Sequence, residues 1–225
     1  MTRQTTMSEE DWLGRRNPED ALDGLLADLD ERRLRLFACA CCRGVLGLLD
    51  DPRAAAAVGA AERYADGEAG PDVVAAMRGP PSSPQRNVAA SWAAEALTTL
   101  AAGWLSASAR NLVEVADRAA RALRDAAGEM TWRAARRRQV GYLCDLRGRL
   151  FHTVKFDPAW KRWKEGLVVV MARAIYDEHR YAELPILADA LEEAGCEERP
   201  ILAHCRSPRE HVRGCWAVDL LLGKE

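Results

Sequence analysis

The amino-acid sequence predicts an all-α fold, a single helical-bundle domain of about nine or ten helices, on three observations. A capping residue followed by proline, a pairing that starts helices, recurs at Asn17-Pro18, Asp51-Pro52, Asp157-Pro158 and Ser207-Pro208. Apolar residues return every three or four positions, as in Leu34, Phe37, Ala38, Cys41, Cys42 and Val45. From Asn87 to Arg149 proline is absent while Ala, Leu and Arg dominate.

In chain order, Met1 to Met7 read as a flexible leader, and Ser8-Glu9-Glu10-Asp11 forms a capping box that opens a short helix through Trp12 and Leu13. A new start follows at Asn17-Pro18, with Glu19 and Asp20 at the positive end of the helix dipole. The apolar stripe then predicts a helix from Arg32 to Leu49, followed by helices from Pro52 to Tyr64 and from Asp72 to Met77. Residues 79–86 begin Gly79-Pro80-Pro81-Ser82-Ser83-Pro84, where prolines remove donors and restrict their neighbours, so this stretch is an internal linker. The segment from Asn87 to Arg149 reads as long helices broken near Gly103 or Ser106 and again at Gly128. Leu150 to Phe156 alternates like a strand but has no partner, which predicts an extended connector. Helices resume at Pro158–Lys164, Leu167–His179, Leu184–Ala194, Glu198–Cys205 and Pro208–Leu222. The expected domain spans residues 8–225, with the cysteine-bearing N-terminal helix packed on the C-terminal helices.

Composition narrows the function classes. The 225 residues are 48% hydrophobic and 29% charged with a net charge of −2, which suits a globular chain rather than a disordered or fibrous one. No apolar run approaches the roughly 18 residues of a membrane span, and the N-terminus is acidic and polar, so the expected location is the cytoplasm. Of the 32 basic residues only Lys155, Lys161, Lys164 and Lys224 are lysines. Such a bias suits nucleic-acid binding, but a GC-rich genome produces it equally well. Seven Trp, each with one N–H to satisfy, are expected to pin helices together.

The seven cysteines are the sharpest chemical feature. A reducing compartment argues against a disulfide framework. Cys39, Cys41 and Cys42 sit mid-helix, where the dipole does not lower a thiol pKa, so a thioredoxin-like pair is not expected. Near the C-terminus lie Cys196, His204, Cys205, His211 and Cys215, with His211 and Cys215 one turn apart if the last helix forms. Zinc takes about four thiolate or imidazole ligands in a tetrahedron. Cys196, Cys205, His211 and Cys215 are the candidate set, alone or jointly with Cys39 and Cys42. The spacing is not that of a standard finger, and buried apolar thiols explain the same residues.

Between Arg110 and Lys164 there are 14 basic and 6 acidic residues, and Arg133, Arg136, Arg137 and Arg138 form the densest run. These arginines are the candidate contacts for a phosphate backbone, with Trp132 and Tyr142 nearby to stack on bases. The rival reading is a helix face that balances acidic neighbours. No phosphate loop, dinucleotide fingerprint, nucleophile elbow or His-Glu-x-x-His helix occurs.

Five blocks carry a resemblance: Arg35-Leu36-Phe37-Ala38-Cys39-Ala40-Cys41-Cys42-Arg43; Asp157-Pro158-Ala159-Trp160; Ala174-Ile175-Tyr176-Asp177-Glu178; Leu184 through Cys196; and Ile201 through Arg206 and His211 through Trp216 to Lys224. The chain resembles a paralogous family expanded in planctomycete bacteria of the Gemmata type, over most of its length. Where that family tends to carry an IFGNPFRP-like string, this chain has Leu146-Arg147-Gly148-Arg149-Leu150-Phe151-His152-Thr153. The resemblance transfers no activity; it implies a packing or docking unit. The sequence therefore predicts a non-enzymatic interaction or scaffold module with a protein partner. Its two rivals are a zinc-binding protein or metal-dependent enzyme built on the C-terminal Cys/His set, and a nucleic-acid binder built on the arginine run.

Overall fold

The structure is a computed structural model, and it describes residues 8–15, 17–26, 29–49, 51, 53–70, 72, 88–103, 109–127, 129–152 and 154–224. The expected leader, the linker at 79–86, most of the expected helix at Asp72–Met77 and the breaks at Ser106 and Gly128 lie outside these residues. The described residues are helical or irregular and include no strand, in keeping with the all-α expectation.

The helices are α1 (Glu9–Leu13), α2 (Pro18–Leu26), α3 (Glu31–Arg43), α4 (Arg53–Ala65), α5 (Val88–Gly103), α6 (Ala109–Ala127), α7 (Glu129–Phe151), α8 (Pro158–Arg162), α9 (Leu167–Glu178), α10 (Leu184–Glu193), α11 (Arg199–Cys205) and α12 (Trp216–Leu222). Two starts use the capping chemistry read from sequence. Ser8 accepts from the Asp11 amide while the Asp11 carboxylate accepts from the Ser8 amide, closing the box at α1. Asp157 accepts from the Ala159 amide, with Pro158 opening α8.

The chain divides into two compact units. The central unit, Arg15–Leu143, holds α2 to α6 and most of α7; the terminal unit joins Met1–Gly14 to Cys144–Glu225. In the central unit α5 and α6 pack along each other, and α3 packs on α4, α5 and α6. From Leu36 to Cys42 every residue of α3 is buried, Phe37 and the three cysteines among them. Burial pushes the Cys41 thiol up to about 12 and the Cys42 thiol well above its usual range, so these sulfurs behave as small apolar groups. Glu62 accepts two hydrogen bonds from Arg43, each 2.6 Å, tying α4 to α3. The helix expected from Arg32 to Leu49 ends at Arg43, before Gly44 and Gly47, with a 3-10 turn over Leu46–Leu48.

In the terminal unit α9 packs on α8, α10 and α12, and α11 packs on α10 and α12. Its core holds Ile175, Tyr176, Leu184, Leu187, Leu191 and Trp216. Two helices are shorter here than their sequence pattern suggests. α8 stops at Arg162, and Lys164, Glu165 and Gly166 then adopt φ of 43°, 59° and 91°, a left-handed turn that two non-glycine residues enter at a cost of about 1–2 kcal/mol each. The last helix begins at Trp216 rather than Pro208. Gly214, at φ 93°, reverses the chain just before it, and a carboxylate from α7 takes the Val212 amide that a helix would have used. The expected extended connector begins later, because α7 runs on through Phe151.

The cysteine-bearing helix α3 belongs to the central unit and the C-terminal helices to the terminal one. Each packs with the helices of its own unit as given above.

Candidate metal centre

Three segments of the terminal unit bring chemistry to one point. The last turns of α7 supply Asp145, the last turn of α11 supplies His204, and the turn leading into α12 supplies His211 and Cys215. His211 and Cys215 are four residues apart but not on a helix. A Cys215 N–H···O=C Val212 bond of 2.9 Å and the left-handed Gly214 fold the segment so that both side chains face Asp145.

One ligand atom from each residue joins a group in which all four lie within 4.8 Å of one another, and all four residues are buried. Oδ1 of Asp145 is 2.7 Å from Nδ1 of His211 and 3.0 Å from Nε2 of His204. Nε2 of His204 is 3.2 Å from Sγ of Cys215, and that sulfur is 4.0 Å from Nδ1 of His211. The other carboxylate oxygen, Oδ2, accepts the Val212 amide at 2.9 Å, which fixes the Asp145 rotamer. Trp216 donates its indole N–H to Nδ1 of His204 at 3.0 Å.

An outer layer holds these groups in place. A Cβ added to Gly148, one turn beyond Asp145 on α7, would stand 1.8 Å from Cδ1 of Trp216, so the indole lies directly on this glycine. His152 sits beside the same indole, with ring centroids 5.7 Å apart. Glu9 of α1 reaches both Nε2 of His152, at 3.1 Å, and Arg209, at 2.6 Å.

The electrostatics follow from burial set against partners. Burial alone raises a carboxyl pKa, yet the hydrogen bonds and charge of His204 and His211 hold Asp145 below the ordinary carboxylate range. Burial lowers the proton affinity of His204 on balance. For His211 burial acts the same way, but the Asp145 hydrogen bond and charge outweigh it, with help from the Ser207 backbone carbonyl, and the pKa rises. Burial pushes the Cys215 thiol well above its usual range, although the Ala217 and Val218 amides act to lower it. Such a thiol is a poor nucleophile unless something strips its proton. The group is also not wired as a nucleophile–base–acid relay. Asp145 and Cys215 meet the same nitrogen of His204, where a relay needs opposite nitrogens.

Sequence reasoning located half of this group. His211 and Cys215 belong to it; Cys196 and Cys205 are buried in the same unit but are not among its four residues, and burial pushes the Cys205 thiol up to about 12. Cys39 and Cys42 are buried thiols of the central unit. Asp145 and His204 take the remaining places. The available signal for Asp145 was an acid amid a basic helix, three residues before a glycine, and it gains meaning only once the fold closes.

The arginine run separates into two environments. Arg133, Arg137 and Arg138 are exposed on α7. Arg136 is buried, 2.8 Å from Glu19, 3.2 Å from Asp117 and 2.9 Å from Gln139 Oε1, with its guanidinium over Trp132. It therefore holds α2, α6 and α7 together within the central unit. Arg136→Ala is expected to destabilise that unit by about 1–2 kcal/mol, since it removes a buried guanidinium bridging two part-exposed carboxylates and leaves the buried Gln139 oxygen without its donor. Arg133→Ala and Arg137→Ala are expected to stay within about 0.5 kcal/mol. Urea unfolding of the three variants measures the difference.

No family model, curated protein or solved structure matches this chain. Among the described residues no helix is long and apolar enough to cross a membrane.

Proposed function

We propose that the protein is a helical interaction module whose terminal unit is stabilised by one zinc-class divalent cation bound at the Asp145–His204–His211–Cys215 group. The observation that carries this reading is the convergence of four buried donor atoms from three segments within 4.8 Å. Their chemistry favours the same ion. Imidazole, thiolate and a single carboxylate oxygen suit a borderline metal such as zinc, whereas magnesium and calcium prefer all-oxygen cages. Charge balance also supports it, because an Asp145 carboxylate and a Cys215 thiolate neutralise a dication, and burying a neutral assembly costs far less than burying separated charges. Cation binding would deprotonate Cys215, the one group whose surroundings otherwise hold it as a thiol.

The competing reading is a metal-free ion pair of a His211 imidazolium with the Asp145 carboxylate, favoured by their 2.7 Å contact. Elemental analysis of protein purified without an affinity tag separates the two. The metal reading expects close to one zinc per chain, falling to background in Cys215→Ser while the helical signal persists. A folded wild-type protein with no metal, whose melting temperature is the same with and without a strong chelator, supports the ion pair and removes the metal.

A further inference from the structure

The four residues of the centre differ in how their second polar atoms are engaged, and this assigns them different roles. Trp216 carries the argument. An indole nitrogen can only donate, so the 3.0 Å bond from Trp216 makes Nδ1 of His204 the unprotonated, accepting nitrogen. The indole is tightly seated: it is 1% exposed, and on its Gly148 side there is no room even for a methyl group. With Nδ1 accepting, the ring proton of His204 sits on Nε2, the atom 3.0 Å from Asp145 Oδ1 and 3.2 Å from Cys215 Sγ.

A histidine that binds a metal through one nitrogen normally donates its other N–H to an acceptor. His204 is wired the opposite way, and a cation on its Nε2 would leave an imidazolate ring. His211 carries no such obstacle. Its Nδ1 faces Asp145 and Cys215, and its buried Nε2 meets neither a hydrogen-bond donor nor an acceptor among the described residues, so nothing there forces that nitrogen to be bare.

We infer that His204 is a positioning residue and not a ligand: locked by Trp216, it donates from Nε2 to the Asp145 oxygen and the Cys215 sulfur and holds them in place. Asp145, His211 and Cys215 are then the three direct ligands. A tetrahedral ion held by three protein ligands takes a small exogenous ligand such as water in its fourth position. The assignment of ligands rests on the metal reading above; the lock on His204 does not.

Two arms test it on the full chain. Nitrogen-15 long-range correlation spectra of the metal-free protein report the tautomer of His204 directly. The expected result is a proton on Nε2 and a bare Nδ1; a proton on Nδ1 overturns the lock. X-ray absorption at the zinc edge of the zinc-loaded protein counts imidazoles, and one per zinc is expected, whereas two overturn the assignment. Trp216→Phe keeps a flat ring over Gly148 but removes the N–H, freeing His204 to change tautomer, so its count is expected to rise from one to two. A count that stays at one overturns the role of Trp216. If the wild-type chain takes up no zinc while His204 shows the Nε2 proton, the metal reading fails and the lock stands.

Discussion

Asp145→Ala is expected to abolish the proposed zinc uptake and to lower the stability of the terminal unit by about 3–5 kcal/mol, the range found when one partner of a buried charged pair is removed. The size follows from what the carboxylate satisfies. Its Oδ1 faces both imidazoles and its Oδ2 accepts the Val212 amide, so truncation leaves two buried rings and a buried backbone N–H without their acceptor. Asp145→Asn is nearly isosteric and retains one oxygen for Val212, so it is expected to keep part of the stability and none of the zinc. Urea unfolding followed by tryptophan fluorescence, with zinc measured on the same samples, reads both effects. A loss of less than about 1 kcal/mol in Asp145→Ala would mean that the carboxylate does not organise the group.

Gly148→Ala is expected to be the most damaging small substitution in the terminal unit. Its new methyl would stand 1.8 Å from Cδ1 and 2.1 Å from Nε1 of Trp216, a ring that is itself fully packed, so either the indole or the end of α7 must move. Overpacking of this kind costs about 1–3 kcal/mol and can exceed it where neighbours cannot relax. The displacement is also expected to break the Trp216–His204 hydrogen bond that locks the His204 ring. Gly141 provides the control on the same helix. A Cβ there meets nothing within 4 Å, and Gly141→Ala should raise stability by about 0.5–1 kcal/mol through helix propensity alone. Thermal melts of the two variants are expected to shift in opposite directions. A downward shift in both would mean that α7 does not tolerate an added methyl even where it meets nothing, and that the loss in Gly148→Ala does not report the indole contact.

The parts of this fold legible in the sequence are those set by neighbours a few residues away. Ser8 and Asp11 cap each other across three residues, Asp157 caps Ala159 across two, and the helices from Leu184 and Arg199 begin where proline and apolar spacing place them. His211 and Cys215 stood out for a local reason as well, four residues apart in a stretch rich in donors. Asp145 could not be read this way, because its partners lie 59 to 70 residues further along the chain. The turn over 211–215 misled the helical pattern for the same reason: Val212 and its neighbours have the composition of a helix, but Asp145 captures the Val212 amide and Gly214 turns left-handed. Cys196 and Cys205 are buried in the same unit as the group without being part of it, a difference that residue type and spacing do not encode. Arg136 shows the same principle in the central unit, where three of four neighbouring arginines face solvent and the fourth is consumed by Glu19 and Asp117.

The central claim is that Cys215, and not the neighbouring buried thiols, holds a cation within this group. Cobalt(II) reports it directly, because a thiolate bound to cobalt gives a near-ultraviolet charge-transfer absorption that oxygen and nitrogen ligands do not. The account predicts this band with tetrahedral visible transitions in wild-type protein titrated with cobalt, the same band in Cys205→Ala and Cys196→Ala, and its loss in Cys215→Ser. A wild-type chain without the band, or a band that survives in Cys215→Ser and disappears in Cys205→Ala, would contradict it.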